Sequence, residues 1–267
     1  MTDGEDEALA ILRRRYVDEI DQATYERRPG SIDARLRRRG AETIGEIKEG
    51  TMPPIDTRAT ATTRARYDRV ARFYDRMERG NERRAAPWRA ALWGRVVGPR
   101  VLEVGVGTGK NMPFYPPGMA ITAIDLSPRM LARARESARR ARLRVDLREA
   151  DAQALPFPDA SFDTAIGTFV FCSVPDPVLG LRELRRVLVP GGQLLLMEHV
   201  LSTRPQLRRL MRALNPLVVR LMGANIDRET VENVRQAGFA EVRDEDLRLD
   251  IVKVITGRAP GAALSGD

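Results

Sequence analysis

Apolar positions in the second half of this chain fall into short runs, with helical spacing between them. The runs at 101–104, 120–125, 144–149, 162–168 and 193–200 predict five strands that alternate with helices. Several are apolar on both faces, as at Leu194-Leu-Leu-Met197, which suits a parallel sheet covered by helices on both sides. Two later runs, around 241–246 and 249–257, have no helical pattern between them and suit an antiparallel hairpin at one edge. The expected fold is therefore α/β, a seven-stranded, mostly parallel sheet with one antiparallel edge hairpin.

The helical patterns carry their own information. From Tyr67 to Met77, Val70, Phe73, Tyr74 and Met77 recur at helical intervals. Over 206–222, Leu207, Leu210, Met211, Leu214, Leu217, Val218, Leu221 and Met222 share one arc, and Arg208, Arg209, Arg212 and Arg220 the other. Such a helix reads as a membrane-surface element, as a lid over an oily pocket, or as a surface helix packed on the sheet. Pro216 predicts a division into two helices meeting at Asn215, with proline at a helix start. Asp227-Arg-Glu-Thr230 starts a further helix that ends at Gly238-Phe239.

The first sixty or so residues are different. Leu9, Leu12 and Tyr16 lie on one side of a helical pattern, and 19–27 reads as a second short helix. Helix, acidic turn and Tyr25-Glu-Arg27 resemble the small SHOCT-type module, which implies self-association through residues 1–28; a marginal helix pair is the plain alternative. Residues 29–62 are rich in Gly, Arg, Thr and Pro and read as a flexible linker. The main domain is expected over 63–258, with a disordered tail over 259–267.

Candidate chemistry begins at Val101-Leu-Glu-Val-Gly-Val-Gly-Thr-Gly-Lys110. A strand runs into Gly105, Gly107 and Gly109, leaving the backbone bare where a ligand can lie against it. Asp125 closes the next strand and is well placed for a ribose diol. A dinucleotide fingerprint would put its third glycine at position 110, which is lysine here. This G-x-G-x-G form with its leading acid Glu103 resembles motif I of class I S-adenosylmethionine-dependent methyltransferases. Asp125-Leu-Ser-Pro-Arg-Met130, Asp151-Ala-Gln-Ala-Leu-Pro-Phe-Pro158, Ser161-Phe-Asp-Thr-Ala-Ile-Gly-Thr168 and Leu184 to Val200 resemble the later family segments, in the family order.

The resemblance implies a Rossmann-like sheet of order 3-2-1-4-5-7-6 and S-adenosyl-L-methionine as cofactor. It implies that Asp125 takes the ribose hydroxyls, that Asp151 takes the adenine amino group, and that the Ala152 N–H faces the ring. Glu103 would help hold the ammonium end, directly or through water. Gly105, Gly107, Thr108, Gly109, Asn111, Leu126, Met130, Thr168 and Phe169 complete the expected cofactor site. Tyr67-Asp-Arg-Val-Ala-Arg-Phe-Tyr-Asp75 resembles the N-terminal lid of small-molecule and lipid methyltransferases, in which an aromatic closes over the methionine part; Tyr67 or Tyr74 is assigned that role, with core packing as the alternative. Trp88 and Trp93 are expected to pack.

Finer matches concern the acceptor. Phe171-Cys-Ser-Val174, Met197-Glu-His-Val200, Leu214-Asn-Pro216 and Asn225-Ile-Asp-Arg-Glu-Thr230 resemble alkyl-thiol methyltransferases. Asn111-Met-Pro-Phe-Tyr115 resembles phosphatidylethanolamine N-methyltransferases, and the block from Asp151 to Gly192 is shared with quinone C-methyltransferases. All three imply a small lipophilic or lipid-linked acceptor: a thiol, an amine or a quinone-type carbon. Thr168-Phe-Val-Phe171 stands where adenine and glutamine methylases carry Asn-Pro-Pro-Tyr, which counts against nucleic-acid methylation. His199 is the one side chain whose ordinary pKa suits a base near neutrality; a substrate-positioning role is its alternative.

Composition sets bounds on these readings. One cysteine, Cys172, and one histidine, His199, exclude an intramolecular disulfide and any cysteine-cluster or multi-histidine metal site, and no metal is expected. A reducing cytoplasm is expected, at or near the inner face of the membrane. The net charge of +8, nearly all arginine, would draw nucleic acid, anionic lipid or an acidic small molecule. Two other functions remain open: a non-catalytic S-adenosylmethionine-binding regulatory module, and a nucleotide-dependent reductase, which Lys110 disfavours.

Overall fold

The structure is a computed structural model that describes residues 54–261. The expectations for residues 1–28, for the linker as far as residue 53 and for the tail from 262 lie outside the described residues. The chain enters at α1, a 37-residue helix over Thr57–Trp93. Asp56 caps it, its side chain accepting from the Arg58 and Ala59 N–H groups at 3.0 and 2.9 Å. Residues 57–62, expected as linker, are thus the first turns of a helix, because an aspartate cap precedes a run free of glycine and proline.

After α1 come β1 (Arg100–Val104), a single tight turn at Met112–Phe114, β2 (Ala120–Asp125), α2 (Pro128–Arg140), β3 (Asp146–Glu149) and β4 (Phe162–Thr168). The second half holds α3 (Pro177–Val187), β5 (Leu188–His199), α4 (Pro205–Met222), α5 (Thr230–Gln236), β6 (Ala240–Arg248) and β7 (Val252–Arg258). The seven strands form one sheet of order β3-β2-β1-β4-β5-β7-β6. Pairs among the first five strands are parallel; β7 runs antiparallel to both β5 and β6. Fold class, strand order and edge hairpin all match the expectation.

Alternation along the strands explains the two covered faces. In β1, Val101 belongs to one buried cluster, while Leu102 and Val104 belong to the other. In β5, Leu195 and Met197 point to one side, and Leu194 and Leu196 to the other. Trp93 is buried at the end of α1, its ring 4.5 Å from that of Tyr115, and Trp88 packs against the same cluster. Both tryptophans therefore pack, as expected.

Several boundaries differ from the sequence reading: β3 starts at Asp146, β7 at Val252 and α5 at Thr230, each two or three residues later than expected. β5 starts at Leu188 rather than Gln193, because Leu188 pairs with Phe162 before the register slips past Pro190-Gly-Gly192. The tail does not begin at 259: Ala259 is buried, and its N–H and C=O pair with the Gly192 carbonyl and the Gly191 N–H. α4 runs unbroken through Pro216 instead of dividing at Asn215. Proline removes the bond to the Arg212 carbonyl, but both residues are exposed, so water takes that carbonyl.

β1 is flanked by β2 on one side and β4 on the other, so consecutive connections leave in opposite directions there. A crevice opens at the carboxyl ends of such strands, and the glycine loop, Asp125 and Thr168 all lie at those ends.

Candidate cofactor and acceptor site

The chain leaves β1 with φ of +68° at Gly105 and +57° at Gly107. At Gly105 a Cβ would stand 2.4 Å from Val170 Cγ2, so the β1 and β4 loops touch only because no side chain intervenes. At Gly107 the nearest atom to such a Cβ would be the Gly105 carbonyl oxygen, at 4.0 Å, so the backbone faces open space. That open space is a cavity of about 110 Å3.

Asp125 anchors the loop. One carboxylate oxygen accepts from the Gly107 N–H at 2.8 Å and the other from the Ser127 N–H at 2.9 Å. Burial pushes its pKa up to about 6, against the pull of those backbone N–H groups. Asp151, across the cavity, accepts from the Gln153 N–H at 2.9 Å and from the Thr60 hydroxyl at 3.2 Å. Asp125 keeps lone pairs that can accept from a ligand, whereas Asp151 also takes Gln153 Nε2 at 3.1 Å on each oxygen, so a ligand donor there competes with the Gln153 amide.

Most of the expected residues meet at this cavity. Tyr67, Tyr74, Gly105, Gly107, Asp125, Leu126, Met130, Asp151, Ala152, Thr168 and Phe169 line it. Among the described residues its wall carries two carboxylates and no lysine or arginine. A pyrophosphate would meet repulsion there, whereas a nucleoside's hydroxyls and amino group would find acceptors.

A second chamber of about 240 Å3 shares Tyr67, Tyr74, Thr168 and Phe169 with the first. Thr108, Asn111 and His199 face this chamber, together with Met77, Trp88 and Val252. His199 stacks on Phe169 with ring centroids 4.8 Å apart. The residue keeps an exposed edge, yet partial desolvation against Phe169 and the strand end lowers the imidazole pKa from its ordinary 6.5, so it is neutral at neutral pH.

Two expected residues stand off both cavity walls. Glu103 is fully buried beneath the loop, one oxygen accepting from Asn111 Nδ2 at 2.6 Å and the other from the Tyr115 hydroxyl. Of the direct or water-mediated hold expected of Glu103, a direct one does not fit this position: Asn111, bonded to Glu103, is the group at the chamber. Gly109 sits where a Cβ would come 2.8 Å from Met112 Sδ, so it packs under the loop rather than facing a ligand. Cys172 is buried at the second chamber, and desolvation pushes its thiol up to about 12.

The two Tyr-Asp pairs of α1 are seven residues apart, two helical turns. Both tyrosines line the cavities, and burial raises both phenol pKa values well above 10, so each remains protonated. The Tyr67 hydroxyl lies 2.5 Å from that of Ser173. The aspartates clip the helix down. Asp68 accepts from the Ser127 hydroxyl at 2.5 Å; Asp75 accepts from Thr108 at 2.7 Å and pairs with Lys110 and Arg133 at 3.0 and 2.7 Å.

Sequence reasoning missed Arg89 and Glu198. Arg89 is buried; one terminal nitrogen donates to Asn111 Oδ1 at 2.7 Å and to the Thr168 hydroxyl at 2.6 Å, and the group pairs with Glu82 at 3.0 Å. The Glu82–Arg89 spacing of two turns was the available signal. Glu198 is fully buried; one oxygen accepts from the Val170 and Phe171 N–H groups at 2.8 and 3.0 Å. It holds the turn in which Phe169 takes a φ of +57°.

A doubly wound sheet with an acidic cavity free of cations at its switch point defines an α/β protein that binds a nucleoside rather than a phosphorylated nucleotide. Comparisons give the family. A family model described as a methyltransferase domain matches residues 102–196. A demethylmenaquinone methyltransferase of Clavibacter sepedonicus is 35% identical over 226 residues, covering 73% of this chain and 89% of that one. A phosphatidylethanolamine N-methyltransferase of Cereibacter sphaeroides is 42% identical over 119 residues, covering 44% of this chain and 59% of that enzyme's length. A solved S-adenosylmethionine-dependent methyltransferase of Thermotoga maritima, a possible histamine N-methyltransferase, superposes with a TM-score of 0.55 at 25% identity, covering 73% of this chain and 99% of that one. The chain belongs to the class I S-adenosylmethionine-dependent methyltransferases, and its cofactor is S-adenosylmethionine.

Proposed function

We propose that the chain transfers the methyl group of S-adenosylmethionine to a lipophilic or lipid-linked acceptor. One observation carries this reading: a small acidic cavity joined, through Tyr67, Tyr74, Thr168 and Phe169, to a larger chamber with apolar residues on one part of its wall and charged ones, among them Glu78, Glu82, Arg84 and Arg248, on another. The acidic cavity suits the adenosyl part, with Asp125 on the ribose and Asp151 and Ala152 at the adenine. Asn111, Thr168 and the glycine loop suit the amino-acid part. Bound there, the cofactor would supply a sulfonium methyl already activated for transfer. What the protein adds is alignment of the acceptor and exclusion of water, the work assigned to Tyr67 and Tyr74 on the α1 lid.

The second chamber is the acceptor site in this reading. Met77, Trp88 and Val252 give it an oily wall. His199 stands on the same wall, neutral near pH 7, and could take a proton from a thiol or an ammonium acceptor. The relatives named above support an amphiphilic acceptor by their own substrates.

The same reading puts the chain in the cytoplasm, in peripheral contact with anionic membrane. Among the described residues no helix is long and apolar enough to cross a membrane. Leu210, Leu214 and Leu217 recur on α4 at helical spacing and are 54%, 43% and 55% exposed, with Arg209 and Arg220 exposed on the same helix. Self-association is assigned to residues 1–28, ahead of a separate methyltransferase domain.

Incubation of the full chain with methyl-labelled cofactor and separate lipid, thiol and quinone extracts tests the reading. Label is expected in a solvent-extractable lipophilic product. Tight cofactor binding with no transfer to any extract would refute it and favour a regulatory module.

A further inference from the structure

Beyond Thr63, Ser173 and Pro175 lies a separate recess of about 350 Å3, and these three residues are walls of both the recess and the cofactor cavity. Arg58 and Arg66 reach it from the first turns of α1, and Arg228 from the segment after α4. Among the described residues the one acid on its wall is Asp56, which is engaged in capping α1, accepting from the Arg58 and Ala59 N–H groups. Arg66 donates to the Gly223 carbonyl at 3.2 Å and Arg228 to the Val174 carbonyl at 3.0 Å. Those contacts aim the guanidinium groups without neutralising them. Arg228 Nε is buried and has no hydrogen-bond partner among the described residues. Asp227 and Asp176 act on the Arg228 charge from nearby, yet burial still lowers its pKa, so the cation is held there at a cost.

We propose that this recess binds a phosphate-type anion, a phosphate monoester or diester, between Arg58, Arg66 and Arg228. Planar guanidinium forks match the oxygens of such a group better than ammonium groups do. The recess has room for the phosphate and a short carbon stem. The consequence is mechanical. Arg58 and Arg66 belong to the same helix as Thr60, Thr63 and Tyr67, which reach Asp151 or line the cofactor cavity. An anion shared with Arg228 ties those turns of α1 to the far wall and holds that side of the cavity shut. Anion and cofactor then bind with positive coupling, and the coupling is reciprocal. The anion site stands without the acceptor assignment; only the coupling rests on the cofactor reading.

The test uses the full chain, the R58Q/R228Q variant, and R139Q/R243Q, which removes the same charge from exposed positions elsewhere in the fold. Inorganic phosphate and glycerol 3-phosphate are titrated by calorimetry. Phosphatidylcholine vesicles with and without phosphatidic acid are followed by flotation. Glycerol 3-phosphate affinity is expected to fall at least tenfold in R58Q/R228Q and to stay unchanged in R139Q/R243Q. S-adenosylhomocysteine affinity is expected to rise several-fold at saturating glycerol 3-phosphate in the unaltered chain only. Vesicle binding lost in R58Q/R228Q identifies a lipid headgroup as the source; binding of the soluble probes without vesicle binding identifies a free phosphate ester. Should R58Q/R228Q fail to fold, R58Q alone, at an exposed position, must still weaken glycerol 3-phosphate several-fold. No binding of any phosphate probe, or equal losses in both double variants, overturns the site. Phosphate binding that leaves S-adenosylhomocysteine affinity unchanged overturns the clamp. Failure of methyl transfer with anion binding intact would count against the proposed reaction and leave this site standing.

Discussion

Asp125→Asn separates what the carboxylate does for the fold from what it does for the ligand. In the fold it accepts two backbone N–H bonds, from Gly107 and Ser127. An amide can accept only one of them and turns an N–H toward the other, a loss of about 1.5–3 kcal/mol. Against this stands the removal of a buried charge. The rise from 3.8 to about 6 is worth about 3 kcal/mol, at about 1.4 kcal/mol for each tenfold. The two terms nearly cancel, so the melting temperature should move by only a few degrees. The ligand has no such compensation. A ribose diol loses an ionised acceptor, at about 1.5–3 kcal/mol for each hydroxyl, so affinity should fall on the order of 100-fold or more. Protonation should partly mimic the substitution. With the carboxyl titrating near 6, S-adenosylhomocysteine should bind about tenfold more weakly at pH 5 than at pH 7 in the unaltered chain, with no such trend in the variant. Stability runs the other way. An acid whose folded pKa is raised contributes stability below its ordinary value of 3.8 and loses it as pH rises through about 6. Calorimetric titration at both pH values, beside thermal melts, reads all of this. An unchanged dissociation constant in the variant at pH 7 would refute the role given to Asp125.

Glu198→Gln should stabilise the chain at pH 8 by on the order of 1–2 kcal/mol, because one oxygen takes both backbone bonds and the other is buried without a partner. Burial pushes this acid from 4.5 to about 7, so its contribution is lost as pH rises through that window; denaturant melts of the variant should lack that part of the slope, and a destabilised variant at pH 8 would contradict the account. Gly105→Ala should cost about 2–5 kcal/mol, from a side chain at φ +68° and a Cβ 2.4 Å from Val170 Cγ2. Adding Val170→Ala should recover part of that loss, and a single variant as stable as the parent would show that the β1 and β4 loops are not locked together there.

The sheet was legible because parallel strands covered on both faces read as continuous apolar runs, and the runs near 101, 120, 162 and 193 are unambiguous in that respect. Asp125 was legible for a related reason: a carboxylate at the end of such a run has to leave the core at the crevice. Arg89 shows where this logic stops. It lies in an arginine-rich helix most of whose arginines are exposed, the spacing to Glu82 is a weak local signal, and the nonlocal partners Asn111 and Thr168 are what distinguish it. Glu198 is hidden in the same way. It follows an apolar run near the end of a strand, where an acid reads as leaving the core, yet one of its oxygens is used by backbone from the neighbouring strand's loop. Pro216 misled in the opposite direction, since a local rule predicted a break that solvent exposure made unnecessary.

The Tyr-Asp repeat of α1 brings these cases together. Its tyrosines were readable as a lid because aromatics two turns apart share a helix face. Its aspartates looked like ordinary solvent-facing charges, but they are what fastens that face over the site: Asp68 to the start of α2, Asp75 to the glycine loop and to Arg133. Polar clips carry much of that hold: on the same stretch of helix Ala71 is buried and both tyrosines are half-buried, while Phe73 and Met77 are 50% and 57% exposed. Opening then costs a few charge-assisted hydrogen bonds that water replaces, which suits the passage of an acceptor into the chamber proposed for it.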